Sequence, residues 1–574
     1  MISNKLPVLQ VNNQLIKLAA YAGWRRNIIA FLAGAASILA FAPFHISPIL
    51  FFTLPFLLWL TDPAPLLFSK GSPDRLKDSA IAMRPVFSLQ CARRGFAVGW
   101  WFGFGFHFAG LYWIGGAFLV QHEVFAWLMP FAITLMPACL ALFWGAAIAA
   151  LACFAGPAFA RILVLIVALT AAEWLRGNIF TGFPWNILGY SLAYPLVFLQ
   201  TAGVVGIYGM TFVSVAVFST PLPVILETIR CRRLNAAIRP VLACVVFPII
   251  TMFIYGVYVI IQPTPDEIAN VKVRLVQPSI NQRDKFDPEK RFEIFKRHLE
   301  LSSRGPQDFK AAENGITHII WPEAALAFLA LRSPDVMNTL ADTLPDNTTL
   351  IAGTLRLEGQ LGRNPSKYRV FNSAMVVSGD GRVSNVYDKV HLVPFGEYLP
   401  FQDWLEAIGL EQLTRVRGGF AAGAQQRKML HIPGLGDVRI LICYEVIFPE
   451  EVIPSSRRPD ILINLTNDAW YGRSTGPFQH FHQSVVRAVE QGLPLIRVGN
   501  NGISGVIDPY GRVLGKLDLD ATDALDSRVP RALKPTIYSR FGDLPFVMLW
   551  LILFSFISLA ASKTLSRGQP LEID

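Results

Sequence analysis

Long apolar segments constrain the fold of this chain more than any other feature of its sequence. The mean hydropathy is +0.42 and only 16% of the 574 residues are charged, which is too apolar for an ordinary soluble enzyme. A helix needs about 20 mostly apolar residues to cross a bilayer. Eight segments near or above that length predict eight membrane spans, at about 27–44, 46–62, 95–119, 124–154, 159–175, 196–222, 240–262 and 544–561.

The positions of lysine and arginine predict the orientation of these spans. They collect before the first span, between the second and third, between the sixth and seventh, and after the last: Lys5, Lys17, Arg25, Arg26, Lys70, Arg75, Lys77, Arg84, Arg93, Arg94, Arg230, Arg232, Arg233, Arg239, Lys563 and Arg567. With eight spans these segments share one side, and basic loops stay in the cytoplasm. Both termini are therefore predicted to be cytoplasmic. The net charge of +10 reflects topology, so no nucleic-acid partner is expected.

The chain divides into three predicted regions. Residues 1–262 form a membrane domain with seven spans, residues 263–543 form a polar domain that faces outward, and residues 544–574 hold the last span and a cytoplasmic tail. Within the polar domain, strands alternate with helices, which is typical of an α/β sandwich. The predicted strands are Val271–Val276, Ile316–Trp321, Thr349–Thr354, Val370–Val377, Arg382–Tyr387, Arg439–Ile442, Ile461–Leu465, Leu495–Val498, Gly502–Ile507 and Arg512–Leu517.

Two stretches within the predicted spans mix residue types that are unusual there. Trp100–His107 alternates glycine with aromatic residues, which favours close helix packing through small residues. Glu173 and Arg176 lie at the outer end of the fifth span, before Gly182–Trp185. They either pair with each other or meet a lipid head group at the interface.

Cys443 is the only cysteine in the polar half of the chain. The apolar strand Ile440–Ile442 ends at this residue, which is how a buried sheet delivers a nucleophile to the rim of a pocket. The alternative is a small hydrophobic side chain on a core strand. The six cysteines and nine histidines show no metal-ligand spacing, so we expect neither a metal nor a cofactor.

Two other strand ends supply what a cysteine nucleophile needs. A base must take the thiol proton, and a positive charge or N–H donors must stabilise the oxyanion that forms. Glu323 follows the strand Ile316–Trp321, and Lys389 follows another strand at Tyr387. Considered singly, Glu323 is also a candidate helix cap and Lys389 a candidate solvated turn residue.

The motifs around these residues resemble those of the nitrilase superfamily, the carbon–nitrogen hydrolases, in their usual order. They are Trp321-Pro322-Glu323, Asp388-Lys389, Pro394-Phe395-Gly396-Glu397 and Cys443-Tyr444-Glu445. Further motifs narrow the resemblance: Asn467–Gly472, Arg487-Ala488 with Glu490, Asn500–Ile503, Gly182–Trp185 and Leu188–Tyr190. Together with the predicted spans, residues from about 24 to 562 resemble the bacterial apolipoprotein N-acyltransferase family.

This resemblance implies a fold and a set of residue roles. The fold is a multi-span helical membrane domain plus a nitrilase-like α-β-β-α sandwich that faces the periplasm. Glu323 is the general base, Lys389 stabilises the oxyanion and Cys443 forms a thioester. Glu397 assists positioning or proton transfer. Residues next to the nucleophile and candidates for substrate contact complete the set: Tyr444, Glu445, Phe286, Trp185 and Trp470. Phe286 stands where the family commonly has tryptophan, which keeps an apolar contact but loses an indole N–H.

The resemblance also implies an activity. The acyl donor is a membrane phospholipid, typically phosphatidylethanolamine, and the acceptor is the α-amino group of the diacylated N-terminal cysteine of an apolipoprotein. The enzyme is expected in the bacterial inner membrane, as a monomer. One alternative is a membrane-tethered carbon–nitrogen hydrolase that uses water as acceptor, and another is a transporter or structural protein with an inactive enzyme-like domain. The loop from Asp403 to Gln426 is either a mobile lid or an ordinary surface loop.

Overall fold

The computed structural model describes residues 23–566 of the chain, except 62–82, 86–87, 231–234, 304–314, 346, 360–367, 408–411, 415–418, 425–427 and 455–456. The chain forms two compact units. Of the described residues, those within 23–112, 130–260 and 541–566 belong to the helical unit, and those within 113–129 and 261–540 belong to the polar unit. About half of the basic residues from which the membrane orientation was predicted lie outside the described part: Lys5, Lys17, Lys70, Arg75, Lys77, Arg232, Arg233 and Arg567. Part of the loop from Asp403 to Gln426, for which a lid and an ordinary surface loop were both considered, lies outside it too.

The helical unit is built from apolar helices. Their bounds are Trp24–Ser37, Leu50–Thr53, Pro55–Trp59, Leu89–Leu111, Met129–Ala152, Ala158–Asn178, Leu196–Leu199, Ala202–Ser219, Pro221–Arg230, Asn235–Val241, Phe247–Ile260 and Leu544–Ser566. Among the described residues, six helical stretches are long and apolar enough to cross a membrane: Leu89–Leu119, His122–Ala152, Ala158–Asn178, Ala202–Thr228, Ile238–Ile260 and Leu544–Lys563.

The first two predicted spans are shorter in the structure than in the prediction. A 14-residue helix, Trp24–Ser37, covers much of the first, and an apolar helical stretch, Ser47–Trp59, covers the second. Pro48 and Pro55 lie in the first turns of the short helices Ser47–Ile49 and Pro55–Trp59, where the missing N–H of proline breaks no helical hydrogen bond. The count of eight spans is therefore not confirmed and stays a prediction.

Small residues bring two helices of this unit into close contact, as their spacing predicts. A Cβ added to Gly105 would collide with the backbone carbonyl of Phe31, and one added to Gly34 would collide with the carbonyl of Phe102. The helices Trp24–Ser37 and Leu89–Leu111 therefore approach to a separation that only glycine permits at these points.

Glu173 and Arg176 pair with each other inside the helical unit, which decides between the two alternatives. Arg176 Nη2 lies 2.7 Å from Glu173 Oε2, and both side chains are fully buried. Trp144 Nε1 donates to Glu173 Oε1 at 2.6 Å. Arg176 Nη1 donates to the carbonyl oxygens of Phe183 at 2.6 Å and Trp185 at 3.0 Å. The pair thus fixes the backbone of the segment after the helix.

The polar unit contains two six-stranded sheets. In chain order the strands are β1 Glu267–Gln277, β2 His318–Ile320, β3 Thr349–Gly359, β4 Tyr368–Val377, β5 Val383–Asp388, β6 Leu430–Ile432, β7 Gly436–Ile442, β8 Ile461–Thr466, β9 Leu495–Gly499, β10 Ser504–Ile507, β11 Val513–Leu517 and β12 Asp523–Pro530. One sheet has the order β12-β1-β2-β3-β4-β5 and the other β11-β10-β9-β8-β7-β6. The strands β1, β2 and β3 are parallel, as are β7, β8 and β9.

Alternate residues along the central strands build the core between the two sheets. Side chains of a strand point to opposite faces in turn. The inward-facing ones include Val271, Val273 and Leu275 from β1, with Val438, Ile440 and Ile442 from β7, and all of them are buried. The sheets therefore pack face to face over a shared apolar layer.

Helices cover the outer faces of both sheets. The polar unit contains the helices Gly115–Leu119, His122–Phe125, Gln282–Lys285, Arg291–Ser303, Pro334–Thr343, Gln402–Ala407, Gly476–Gln491 and Ile537–Phe541. Phe295 and Leu340, from two of these helices, join a second apolar cluster with Ile319 and Met375 of the first sheet. The helix Gly476–Gln491 packs on β9 of the other sheet. The predicted α-β-β-α sandwich is confirmed.

Candidate active site

Cys443 lies where β7 ends and a short 3-10 helix, Cys443–Ile447, begins. Its φ of +50° is in the left-handed region, which costs a non-glycine residue about 1 kcal/mol or more and needs surrounding support. The side chain is buried, and the side chains of Thr466 and Tyr471 lie within hydrogen-bonding reach of the thiol. The sharp turn presents the thiol at the end of a rigid strand.

The two charged residues predicted to act with Cys443 lie in one buried cluster. Lys389 Nζ donates to Glu397 at 2.9 Å and lies 3.7 Å from Glu323 Oε1. Asn372 Nδ2 bridges the two carboxylates, at 2.8 Å from Glu323 and 3.0 Å from Glu397. Among the described residues, no group hydrogen bonds to the buried Oε2 of Glu323. Within the described part of the chain, one carboxylate oxygen of Glu323 therefore accepts no hydrogen bond.

Burial and neighbouring charges set the protonation of this cluster. Burial, and after it the charge of Glu323, raises the pKa of the Cys443 thiol to about 12, although Lys389 opposes this. Burial also raises the pKa of Glu323, against the opposing charge of Lys389. Glu397 and Glu323 raise the pKa of Lys389 despite its burial. The thiol is thus neutral at rest and needs a base, and a carboxylate with a raised pKa is a better base than an ordinary one.

Glu445 connects the nucleophile to the loop that carries Lys389. Its Oε1 accepts hydrogen bonds from Tyr387 Oη and the backbone N–H of Val390, both at 2.8 Å. Its Oε2 accepts one from the backbone N–H of Ile442 at 2.7 Å. Glu445 therefore positions the end of β7 against the end of β5.

A second polar network lies behind Cys443. Asp468 Oδ2 accepts a hydrogen bond from Arg497 at 2.8 Å, and His480 Nδ1 lies 3.0 Å from Asp468 Oδ1. His480 Nε2 lies 3.2 Å from the carbonyl oxygen of Cys443. A carbonyl can only accept, so Nε2 carries the proton. Burial lowers the pKa of His480, and, although burial opposes it, Arg497 and His480 hold the pKa of Asp468 at about 2.

Comparison with known proteins gives this arrangement its family. A carbon–nitrogen hydrolase model matches residues 272–533, and a model of the apolipoprotein N-acyltransferase N-terminal domain matches residues 33–220. The apolipoprotein N-acyltransferase of Rhodopseudomonas palustris is 42% identical over 548 residues, which cover 96% of each chain. That of Bradyrhizobium diazoefficiens is 43% identical over 552 residues, which cover 96% of this chain and 97% of the relative. The chain belongs to the apolipoprotein N-acyltransferase family.

The family resemblance predicted from the motifs is thus confirmed over most of the chain. A solved amidase from Nesterenkonia sp. is 20% identical and covers 50% of this chain and 98% of its own, with a TM-score of 0.34.

The structure brings most, but not all, of the predicted site residues into the polar unit's cluster. Glu323, Lys389, Cys443, Glu397, Tyr444 and Glu445 are all buried there. Phe286 and Trp470 are half-buried, on the short segments that also carry Lys285 and Tyr471. Trp185 belongs to the helical unit, where it is fully buried. The catalytic and substrate-contact roles of all these residues stay predictions.

Sequence reasoning gave no site role to several residues of this apolipoprotein N-acyltransferase family member. Asn372 sits in the middle of β4, where a buried polar residue among apolar ones was the available signal. His480 lies on the helix Gly476–Gln491, and its Nε2 reaches the carbonyl oxygen of Cys443. Trp113, in the polar unit's N-terminal segment, stacks edge-to-face on Tyr471 with ring centroids 4.5 Å apart. No signal in the sequence places this segment there.

We expect Asp468→Asn to weaken both the fold and the enzyme. The change leaves Arg497 buried without its counter-charge, which costs about 3–5 kcal/mol in the free energy of unfolding. The support behind the Cys443 carbonyl loosens as well, so kcat falls more than KM changes. Thermal unfolding and steady-state kinetics measure the two effects. Asp518→Asn is the control, since Asp518 pairs with Lys516 at the surface with 79% of its side chain exposed. A wild-type melting temperature for Asp468→Asn would contradict this account of the network.

Proposed function

We propose that this chain transfers an acyl chain from a membrane phospholipid to the α-amino group of the diacylglyceryl-modified N-terminal cysteine of apolipoproteins. The observation that carries the proposal is the buried cluster of Glu323, Lys389 and Cys443, in a chain whose relatives are named apolipoprotein N-acyltransferase over nearly their whole length. Amphiphilic substrates also account for the presence of long apolar helices and a catalytic sandwich in one chain.

In the first half-reaction Cys443 takes the acyl chain. Glu323 accepts the thiol proton while the sulfur attacks the ester carbonyl of the phospholipid. Lys389 and the backbone N–H of Tyr444 stabilise the oxyanion of the tetrahedral intermediate. The carbon–oxygen bond then breaks, the lysophospholipid alkoxide takes the proton back from Glu323, and the acyl chain remains on sulfur as a thioester. Glu397 and Asn372 hold the lysine and the base in place.

In the second half-reaction the thioester meets the amine. The unprotonated α-amino group attacks the thioester carbonyl, and Glu323 accepts a proton from the nitrogen. The carbon–sulfur bond breaks to leave an amide, and Glu323 returns a proton to the sulfur of Cys443. The burial of Glu323 and Cys443 favours transfer over hydrolysis, because a site closed to bulk water protects the thioester from attack by water.

The membrane setting is part of the same proposal. The chain spans the bacterial inner membrane eight times, with both termini in the cytoplasm and the sandwich of residues 263–543 in the periplasm. The excess of lysine and arginine in the segments assigned to one side supports this orientation. Phosphatidylethanolamine is the proposed donor, and the protein acts as a monomer. Phe286 and Trp470, which are half-buried, are the proposed contacts for the lipid chains.

A transfer assay separates this function from that of an amidase-like hydrolase. Vesicles hold phosphatidylethanolamine with a labelled acyl chain, and the acceptor is a diacylated lipopeptide with a free α-amino group. We expect the label to appear as an amide on the lipopeptide. A lipopeptide with an acetylated α-amino group is the matched control and should stay unlabelled. Label released only as free fatty acid, at the same rate with either peptide, would favour the hydrolase.

A further inference from the structure

Lys285 is a buried lysine that the steps above do not use. It ends the short helix Gln282–Lys285, and only 3% of its surface is exposed. Its Nζ donates a hydrogen bond of 2.7 Å to the backbone carbonyl oxygen of Glu323. Within the described part of the chain, its ammonium group has no other hydrogen bond and no ion pair. Burying an ammonium group without an ion pair costs free energy, so we expect Lys285 to have a role other than packing.

The helix that carries Lys285 is anchored at its start. The Asn281 side chain accepts a hydrogen bond from the backbone N–H of Arg283 at 3.0 Å and so caps the helix. Asn467 Nδ2 donates to Gln282 Oε1 at 2.6 Å. Asn467 is followed in the sequence by Asp468, which belongs to the polar network behind Cys443. The anchored helix Gln282–Lys285 therefore holds the lysine in contact with Glu323.

The charges around Glu323 balance only when Lys285 is counted. The charged and polar groups that face Glu323 are Lys389, Glu397, Lys285 and Asn372, together with the uncharged Cys443 and Tyr471. The two carboxylates, Glu323 and Glu397, are matched by the ammonium groups of Lys389 and Lys285, and removing either cation leaves an excess negative charge in a buried site. Cys443 and Glu323 face Lys285, and the lysine in turn faces the buried His298.

We infer that Lys285 is a positioning residue for Glu323: its hydrogen bond fixes the backbone of that residue, and its positive charge keeps the carboxylate ionised and able to accept a proton. The inference rests on the proposed role of Glu323 as the base. It gives Lys285 a function separate from that of Lys389, which faces the side chain of Glu323 and the oxyanion.

The inference has a definite consequence for pH dependence. Burial lowers the pKa of Lys285 to about 8, although Glu323 and Cys443 act in the opposite direction. The lysine is therefore charged below about pH 8 and loses its charge above it. An ionised Glu323 is required for reaction, so the rate rises as pH increases through the pKa of Glu323. Removing the charge of Lys285 raises that pKa, and the acidic limb of the profile must move to higher pH.

Alkylation of Cys443 by iodoacetamide tests this without any lipid. The rate is followed from about pH 4 to about pH 9 by mass spectrometry of the peptide that contains Cys443, in full-length protein. We expect Lys285→Met to move the acidic midpoint up by roughly 1 pH unit, the effect of losing one nearby opposite charge. Lys285→Gln keeps a hydrogen-bond donor without the charge and should show the same shift with a higher plateau rate. Glu323→Gln should remove the limb altogether.

The matched control is Lys290→Met, since Lys290 lies on the same segment with 43% of its side chain exposed. It should leave the midpoint unchanged. A merely structural lysine would lower the yield of folded protein without moving the midpoint, so an unmoved midpoint in whichever variant folds would overturn the inference. If phospholipid failed to acylate the wild-type protein but the Lys285 variants still shifted the acidic midpoint of Cys443 alkylation, the proposed function would be wrong. The role of Lys285 would still be supported.

Discussion

Cys443→Ala is expected to abolish acyl transfer while the protein stays folded and inserted in the membrane. The thiol is the only group in the cluster that can carry the acyl chain, so its loss should reduce turnover by at least about 1000-fold, to the background of the assay. The removed sulfur is a single buried atom, and the hydrogen bonds to the Cys443 carbonyl from Asn464 and His480 do not depend on it. Turnover of the labelled phospholipid and thermal unfolding measure the two properties in the same preparation.

Two further variants sharpen this result. Cys443→Ser should be almost as inactive, because the pKa of a serine hydroxyl is far higher than that of a thiol and a carboxylate is a weak base for it. Cys139→Ala removes an exposed cysteine from the helical unit and should keep wild-type activity. Full activity in Cys443→Ala would show that Cys443 is not the nucleophile. Substantial turnover by Cys443→Ser would mean that Glu323 is a stronger base than its surroundings indicate.

Lys389→Met is expected to affect both rate and stability. The oxyanion loses its nearest positive charge, which typically costs about 100- to 1000-fold in kcat. Two buried carboxylates, Glu323 and Glu397, are left without their shared cation, and breaking a buried pair in this way costs about 3–5 kcal/mol in the free energy of unfolding. Steady-state kinetics and chemical denaturation would report the two losses.

A double variant separates the two roles of Lys389. Adding Glu397→Gln to Lys389→Met removes one uncompensated carboxylate, so part of the stability should return while kcat stays low. Lys516→Met is the control for removing a lysine, since 47% of its side chain is exposed at the surface. If the double variant recovered activity together with stability, the lysine would be a structural counter-charge and not an oxyanion donor.

The residues at strand ends were predictable from the sequence because the physics there is local. Glu323 and Cys443 each follow a short apolar strand, and the carboxyl ends of parallel strands gather polar side chains at one edge of a sheet. The strand pattern itself predicted most of both sheets. It missed β6, which has three residues, and β12, whose first six residues are exposed or half-buried and include Asp523, Asp526 and Arg528.

The remaining features depend on contacts between segments far apart in the chain. Lys285 reaches Glu323 across 38 positions, and His480 reaches the Cys443 carbonyl across 37. No periodicity or spacing encodes such contacts. The first two predicted spans show a different limit: hydropathy measured how apolar the region is, but it did not predict where each helix ends.

The measurement that tests the central claim most directly is the intact mass of the purified protein after incubation with phospholipid and no acceptor. We predict an added acyl mass that maps to Cys443, is absent from Cys443→Ala, and disappears when a diacylated lipopeptide with a free α-amino group is added. A folded wild-type protein that gains no acyl mass, or whose acyl group leaves only by hydrolysis whatever peptide is present, would contradict transfer through a Cys443 thioester.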